Sequence, residues 1–214
     1  AWLFFAFCLE WAGLKRDGLG YISHLPIALD GSNNGLQHYS AMLRCPVGGK
    51  GTNLTSEETP QDIYQEVADV VIREVKKLAA LDDPMAKKWL DSGLINRKMT
   101  KRPVMVVPYG GTRFSAMVYV EEYVTDQLRK GFVFPLSDGE HMIKYTNWIT
   151  GLVWNAIGEV IVSARKAMNW IRDVSSELSK KGYPVIWWTP TGLCIYQHYK
   201  AFKWRQITTT IDGK

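Results

Sequence analysis

The run from Asn96 to Gly111, N-R-K-M-T-K-R-P-V-M-V-V-P-Y-G-G, narrows the folds open to this chain more than any other segment. A helix turns about 100° per residue, which puts Lys101 ~40° and Tyr109 ~120° round from Arg97, so all three share one broad face. A basic helix face alone is commonly just solvated, but the apolar V-M-V-V directly between Lys101 and Tyr109 argues for a helix packed on one side. A second run, L-D-G-S-N-N-G-L-Q-H-Y-S-A-M-L-R from Leu29 to Arg44, sets Asp30 at the end of an apolar, strand-like stretch. Asp-Gly-Ser by itself reads as a turn. Paired with a cationic helix, the same carboxylate reads as a metal-holding acid facing phosphate-binding cations, which is the equipment of nucleotidyl transfer.

The composition permits that chemistry without demanding it. The 214 residues are enough for one large domain or two small ones. The 26 basic and 21 acidic residues leave a net charge of +5, compatible with a polyanionic partner but short of a basic arm. Nine tryptophans imply large buried aromatic surfaces or stacking platforms. The three cysteines form no C-x-x-C pair and the four histidines lack zinc-site spacing, which points to a reducing compartment. The apolar opening A-W-L-F-F-A-F-C-L is broken by Glu10 too early for a membrane span and lacks a basic leader, so no membrane partner is expected. The chain opens inside a helical pattern and closes on T-T-T-I-D-G-K, so a piece of a longer protein is expected.

Periodicity predicts a mainly helical α+β architecture. Residues 2–15 read as a helix, Tyr21–Leu29 as a short strand ending at Asp30, and Asn34 onward as a helix stopping near Pro46 with Leu36, Tyr39, Ala41 and Leu43 available for a core. Ser56 to Pro60 is a helix-start signal. Ile63, Val67, Val70, Val71, Val75 and Leu78 follow at helical spacing, and Asp82-Asp83-Pro84 opens another helix. Further helices are expected over 96–107, 121–128 and 141–180, the last with a break near Gly151 or Gly158. Pro184–Tyr199 reads as a β-hairpin around Thr189-Pro190-Thr191-Gly192, with Trp187, Trp188 and Tyr196 expected in the core rather than stacking on bases. Lys180, Lys181, Lys200 and Lys203 are expected to be solvated.

The two chemistry-bearing runs resemble motifs A and B of the single-subunit DNA-directed RNA polymerases of phages and mitochondria. D-G-S-x-x-G-x-Q-H-[FY]-S-A-M-L-R is highly specific to that family. R-x-x-x-K with Y-G beyond it is shared with related DNA polymerases. E-W-A-G at Glu10–Gly13, Q-D-I-Y at Gln61–Tyr64, A-M-N-W at Ala167–Trp170 and the W-x-T-P-x-G hairpin extend the likeness over nearly the whole chain. The resemblance implies an incomplete right-hand polymerase: 1–50 palm with motif A, 51–182 helical fingers with motif B, and 183–214 a hairpin opening a further region. It implies that Asp30 and the Gly31 carbonyl hold metal, with two Mg²⁺ ions in the intact enzyme. It assigns Lys101 as the catalytic lysine, Arg97 to the triphosphate, and Tyr109 with Gly110 to the incoming sugar and template base. Tyr64 falls near nucleotide entry.

Related DNA polymerases carry a glutamate five residues after the metal-binding aspartate, excluding a 2′-hydroxyl; Gly35 stands there here, so ribonucleotides should fit, and Gly35→Glu should depress their use. Pro103 and Pro108 within motif B are expected to kink the helix and re-aim Tyr109. The His-Asp-Ser segment bearing the second metal-binding aspartate is absent from these 214 residues, so this piece alone is expected to be inactive. Expected partners are a DNA template and promoter, ribonucleoside triphosphates and the RNA product, in an intact enzyme that is monomeric. The cytoplasm of a phage-infected cell is the expected location, with the mitochondrion as alternative. A DNA polymerase of the same superfamily and a non-catalytic nucleic-acid-binding module are the competing readings; a His-Asp-Ser segment downstream favours an enzyme, a stop codon a binder.

Overall fold

The computed structural model describes residues 2–26 and 28–198. Ile27, Tyr199, Lys200 and Lys203, which the expectations above include, lie outside the described residues. The chain forms two compact units, one ending at Gly31 and the other beginning at Ser32.

The first unit is built on α1 (Trp2–Asp17), followed by a 3-10 turn over Gly18–Gly20. Apolar side chains surround α1: Trp2, Leu3, Phe4, Phe5, Phe7, Leu9 and Trp11 are all exposed. Only Gly13 is buried. That glycine is buried by Tyr21, whose ring lies where a β-carbon on residue 13 would be, 2.4 Å from Cε2. Glu10 holds the same segment by accepting the His24 backbone N–H at 3.3 Å. Hydrogen bonding by Ser23 lowers the Glu10 carboxyl below its usual range, against a smaller opposing effect of desolvation. The strand expected over Tyr21–Leu29 is not formed among the described residues. A strand exists through its ladder, and no segment here pairs with this one. Asp30 therefore sits in an irregular segment and not at a sheet edge.

The second unit is helical apart from its hairpin. It comprises α2 (Asn34–Met42), α3 (Pro46–Gly51), α4 (Ile63–Ala80), α5 (Pro84–Ser92), α6 (Arg97–Val106), a 3-10 turn (Val107–Tyr109), α7 (Arg113–Arg129), α8 (Met142–Val160), α9 (Val162–Lys180), β1 (Val185–Trp188) and β2 (Cys194–Gln197). α4 is central, packing on α5, α6 and α8, while α7 lies against α6 and α8. Its apolar stripe drives this arrangement: Ile63, Val67, Val71 and Val75 are buried, with Val70 and Leu78 packed at the margin. Trp89 of α5, fully buried, meets Phe134 edge-on at 4.9 Å between centroids and donates its indole N–H to the Tyr145 carbonyl at 3.3 Å. In α8, Thr150 satisfies its buried hydroxyl on the Thr146 carbonyl one turn back, at 2.6 Å.

Several boundaries depart from the sequence expectation, each for a local reason. α4 begins at Ile63 and not near Ser56, because the Asp62 carboxylate takes the N–H groups of Tyr64 and Gln65. Just upstream, Gln61 is held by a reciprocal pair of bonds with Asn53. Pro46 starts α3 where a stop was expected, since its missing N–H costs nothing at a first helical position. α7 starts at Arg113 and not Glu121 through a reciprocal cap between Thr112 and Ser115. The α8–α9 break falls at Ile161, not at Gly151 or Gly158. Gly158 has another use, since a β-carbon there would lie 1.9 Å from Arg165 Nη1. The Arg165 guanidinium reaches past it to the Trp154 ring, 5.1 Å from the centroid.

The antiparallel hairpin pairs Val185 with Gln197 and Trp188 with Cys194, and turns through Gly192. Trp187, Trp188 and Tyr196 are exposed, not in the core as expected, because a two-stranded sheet offers its residues no second layer. Ala41 and Leu43 are likewise exposed, whereas Leu36 is buried and Tyr39 packs at the core margin. No described helix is long and apolar enough to cross a membrane.

Candidate functional site

Motif B folds as a helix with one open cationic side. Asn96 caps α6 by accepting the Lys98 N–H, and Met99, Thr100, Pro103 and Val104 are buried against the core. Pro103 is accommodated inside the helix, and the regular turns continue to Val106. The α6 cations then divide. Arg102 pairs with Glu122 and lies 4.2 Å above the Tyr119 ring centroid. Arg97 gives its Nε–H to Asp62 and spreads its guanidinium over the Tyr64 ring, 5.1 Å from the centroid. Lys101 is exposed and makes no ion pair among the described residues. An exposed, unpaired ammonium one turn from a fixed guanidinium offers an anion two kinds of contact: a mobile point charge and an oriented fork.

Two residues that sequence reasoning did not single out fix this arrangement. Asp62 spends Oδ1 on capping α4 and Oδ2 on Arg97, so one side chain ties the start of α4 to the start of α6. Thr100, fully buried, donates its hydroxyl to the Tyr64 carbonyl at 2.7 Å and so locks the same two helices together. The capping role of Asp62 was legible in Q-D-I-Y, but its second role depends on a partner 35 positions away.

Past α6 the chain tightens into the 3-10 turn and ends at Gly110, whose φ of 87° is a left-handed value that favours glycine. Pro108 is buried beneath this turn while Tyr109 stands 73% exposed above it. Tyr109 thus lies in a 3-10 turn and not on the helix face that carries Arg97 and Lys101. Gly35, in the first turn of α2, faces the turn directly. A β-carbon on it would lie 2.6 Å from Pro108 Cγ and 3.4 Å from Tyr109 Cζ. α2 is capped by Asn33, whose side chain accepts the Leu36 N–H from a left-handed backbone. Met168 of α9 adjoins both elements, accepting the Tyr39 hydroxyl at 2.7 Å and lying near Gly110.

The predicted site residues therefore gather within the second unit as two pairs, Tyr64 with Arg97 and Gly35 with Tyr109, alongside Lys101 and Gly110. Asp30 and Gly31 belong to the first unit. There the Asp30 carboxylate is exposed and accepts the Gly31 N–H at 2.9 Å. An exposed carboxylate beside a backbone carbonyl is an oxygen-donor set that suits Mg²⁺, which fills the rest of its shell from phosphates and water. No group of three or more metal-ligating side chains gathers among the described residues, so the fit is that of one ligand and not of a full cage.

The family model of DNA-dependent RNA polymerase matches residues 1–213. The DNA-directed RNA polymerase of Enterobacteria phage K11 is 31% identical over 239 aligned residues, covering 92% of this chain and 25% of that protein. The mitochondrial DNA-directed RNA polymerase of Mus musculus is 37% identical over 200 residues, covering 92% of this chain and 16% of that protein. T7 RNA polymerase of Escherichia phage T7 is 31% identical, with 92% of this chain and 26% of that protein covered. The chain thus spans about a quarter or less of the length of these relatives. On the match over residues 1–213, together with the two motifs, the chain belongs to the DNA-dependent RNA polymerase family.

Proposed function

We propose that the chain is the central part of a phage- or mitochondrial-type polymerase that makes RNA on a DNA template. In this reading 1–50 contribute to the palm, 51–182 to the fingers, and 183–214 open a further region. The RNA 3′-hydroxyl attacks the α-phosphate of a ribonucleoside triphosphate and pyrophosphate leaves. Asp30 and the Gly31 carbonyl would hold one of two Mg²⁺ ions in the intact enzyme, which would neutralise phosphate charge and favour ionisation of the attacking hydroxyl. Arg97, oriented by Asp62, grips the triphosphate. Lys101 meets the charge that grows as pyrophosphate departs. Tyr64 stands beside the entering nucleotide, and Tyr109 with Gly110 inspects its sugar and the template base. A DNA template and promoter, ribonucleotides and the RNA product are the proposed partners of a monomeric enzyme. It would act in the cytoplasm of an infected cell if the parent is a phage, and in the mitochondrion if the parent is an organelle.

The observation that carries this reading is the place of Gly35. Where related DNA polymerases hold an acid against the 2′-hydroxyl, this chain has a glycine, packed on Pro108 with the Tyr109 ring beside it. The test is Lys101→Ala in the intact polymerase containing this chain, followed by DNA-templated RNA synthesis. Loss of one preorganised electrostatic contact predicts a fall in kcat of about 10²- to 10³-fold, with template binding retained. Turnover within a few-fold of the parent would remove Lys101 from the chemistry and overturn the assignment.

A further inference from the structure

We propose that Pro108 is a positioning residue for Tyr109, and that residues 35 and 108 act as a pair that sets the sugar preference of the site. The inference rests on the RNA-polymerase reading above and goes beyond it by naming what holds the sugar-reading tyrosine in register.

Read from sequence alone, Gly35 is an absence: no acid, hence room for a hydroxyl. In the fold the glycine has a packing role as well: the Pro108 ring is seated against its α-carbon. A β-carbon on residue 35 would lie 2.6 Å from Pro108 Cγ and 2.8 Å from Pro108 Cβ. Carbon atoms pack favourably at about 3.5–4.0 Å, so such an approach is strongly repulsive. The proline cannot swing clear, because its ring closes onto its own backbone and fixes φ. Pro108 is also buried. Glycine at 35 and proline at 108 are therefore complementary halves of one contact.

The same contact defines Tyr109. The Gly110 N–H bonds to the Val107 carbonyl at 3.1 Å and the Gly111 N–H to the Val106 carbonyl at 2.9 Å, so the backbone is pinned on the C-terminal side of the tyrosine. Pro108 pins it on the N-terminal side by seating on α2. Only the Tyr109 ring is free, exposed at 73% and passing 3.4 Å from the position of a residue-35 β-carbon. Where that ring stands relative to an incoming sugar is thus set by how closely the turn sits on Gly35. Removing the proline ring opens a gap under the turn. Adding a methyl to residue 35 pushes the turn away. Doing both replaces one filler by another from the opposite wall.

The test is a four-member cycle in the intact polymerase: parent, Pro108→Gly, which removes both contacting carbons, Gly35→Ala and the double variant. Each is read as kcat/KM for a ribonucleoside triphosphate and its 2′-deoxy counterpart on one template. Each single change should lower the ribo-to-deoxy ratio about tenfold, and the double variant should return to within about threefold of the parent, the non-additivity of residues in contact. A merely structural role would slow both substrates alike and leave the ratio unmoved. Losses that simply multiply in the double variant, or an unchanged ratio in Pro108→Gly, overturn the pairing. If Gly35→Ala fails to accumulate as folded protein, Pro108→Gly decides alone, since it introduces no clash. A parent enzyme that makes no RNA overturns the function proposed above, whereas an active parent with multiplying losses overturns only this inference.

Discussion

Asp62 has two carboxylate oxygens and uses them on different helices. Oδ1 accepts the N–H groups of Tyr64 and Gln65 and so starts α4; Oδ2 accepts the Arg97 Nε–H and so aims the guanidinium. Occupying Nε leaves the terminal nitrogens of Arg97, which lie over the Tyr64 ring, without a hydrogen-bond partner among the described residues. The two roles can be separated by substitution. Asparagine keeps a capping oxygen and loses the charge, whereas alanine loses both. Asp62→Ala should cost about 1 kcal/mol of stability through the cap, read as a lower melting temperature, and Asp62→Asn only a few tenths of that. Both should raise KM for nucleotide several-fold in the intact polymerase, because an unaimed arginine binds phosphate less well. If Asp62→Asn matches the parent in KM, the ion pair serves the fold alone.

α1 shows how an element can be correctly placed in sequence while its purpose stays hidden. Its helical period is plain, and the spacing of Trp2, Phe5, Leu9 and Ala12 predicts an inward face, but its apolar residues run round every side and Trp2, Phe5 and Leu9 are exposed. What α1 does within its own unit is seat the segment leading to Asp30. Glu10 accepts the His24 N–H and Gly13 leaves the space that Tyr21 fills. E-W-A-G is, physically, an acceptor and a notch one turn apart on the same helix. A methyl in the notch would stand 2.4 Å from Tyr21 Cε2, so Gly13→Ala must displace the ring and loosen the Glu10 contacts. The expected readout is faster limited proteolysis between Tyr21 and Gly31. Adding Tyr21→Leu to Gly13→Ala should then bring little further change, since the clash is already relieved. Unaltered cleavage in Gly13→Ala would mean that the segment is not held by this contact.

Across the whole molecule, legibility in the sequence tracked the range of the interaction. The apolar stripe of α4, the Asp83-Pro84 start of α5, the hairpin turn and the face shared by Arg97 and Lys101 are local patterns, and each was readable. The lack of a strand before Asp30 and the pairing of Gly35 with Pro108 depend on what another segment supplies, and neither was. The Glu140 cluster belongs to this second kind, and its consequence is one of pH. Glu140, in the loop before α8, accepts hydrogen bonds from Lys88 of α5, from the Tyr145 hydroxyl at 2.6 Å and from the Ser137 N–H at 2.7 Å. Lys88 also bonds the Ser137 hydroxyl and lies 5.4 Å above the Tyr145 ring, whose edge meets Phe134. The Lys88 bond first, then Tyr145 and Ser137, bring the Glu140 pKa from an ordinary 4.5 down to about 2. A carboxyl depressed in the folded state binds its proton more readily when unfolded, so it stabilises the fold above the ordinary value and loses that contribution as pH falls through the folded one. The window is therefore pH 4.5 down to about 2. Glu140→Gln removes the titrating group while keeping the shape. Its melting temperature should lie below that of the parent at neutral pH, and the gap should close as the buffer is taken through that window. A gap that stays constant with pH would show that the α5–α8 link depends on side-chain shape and not on the charge of Glu140.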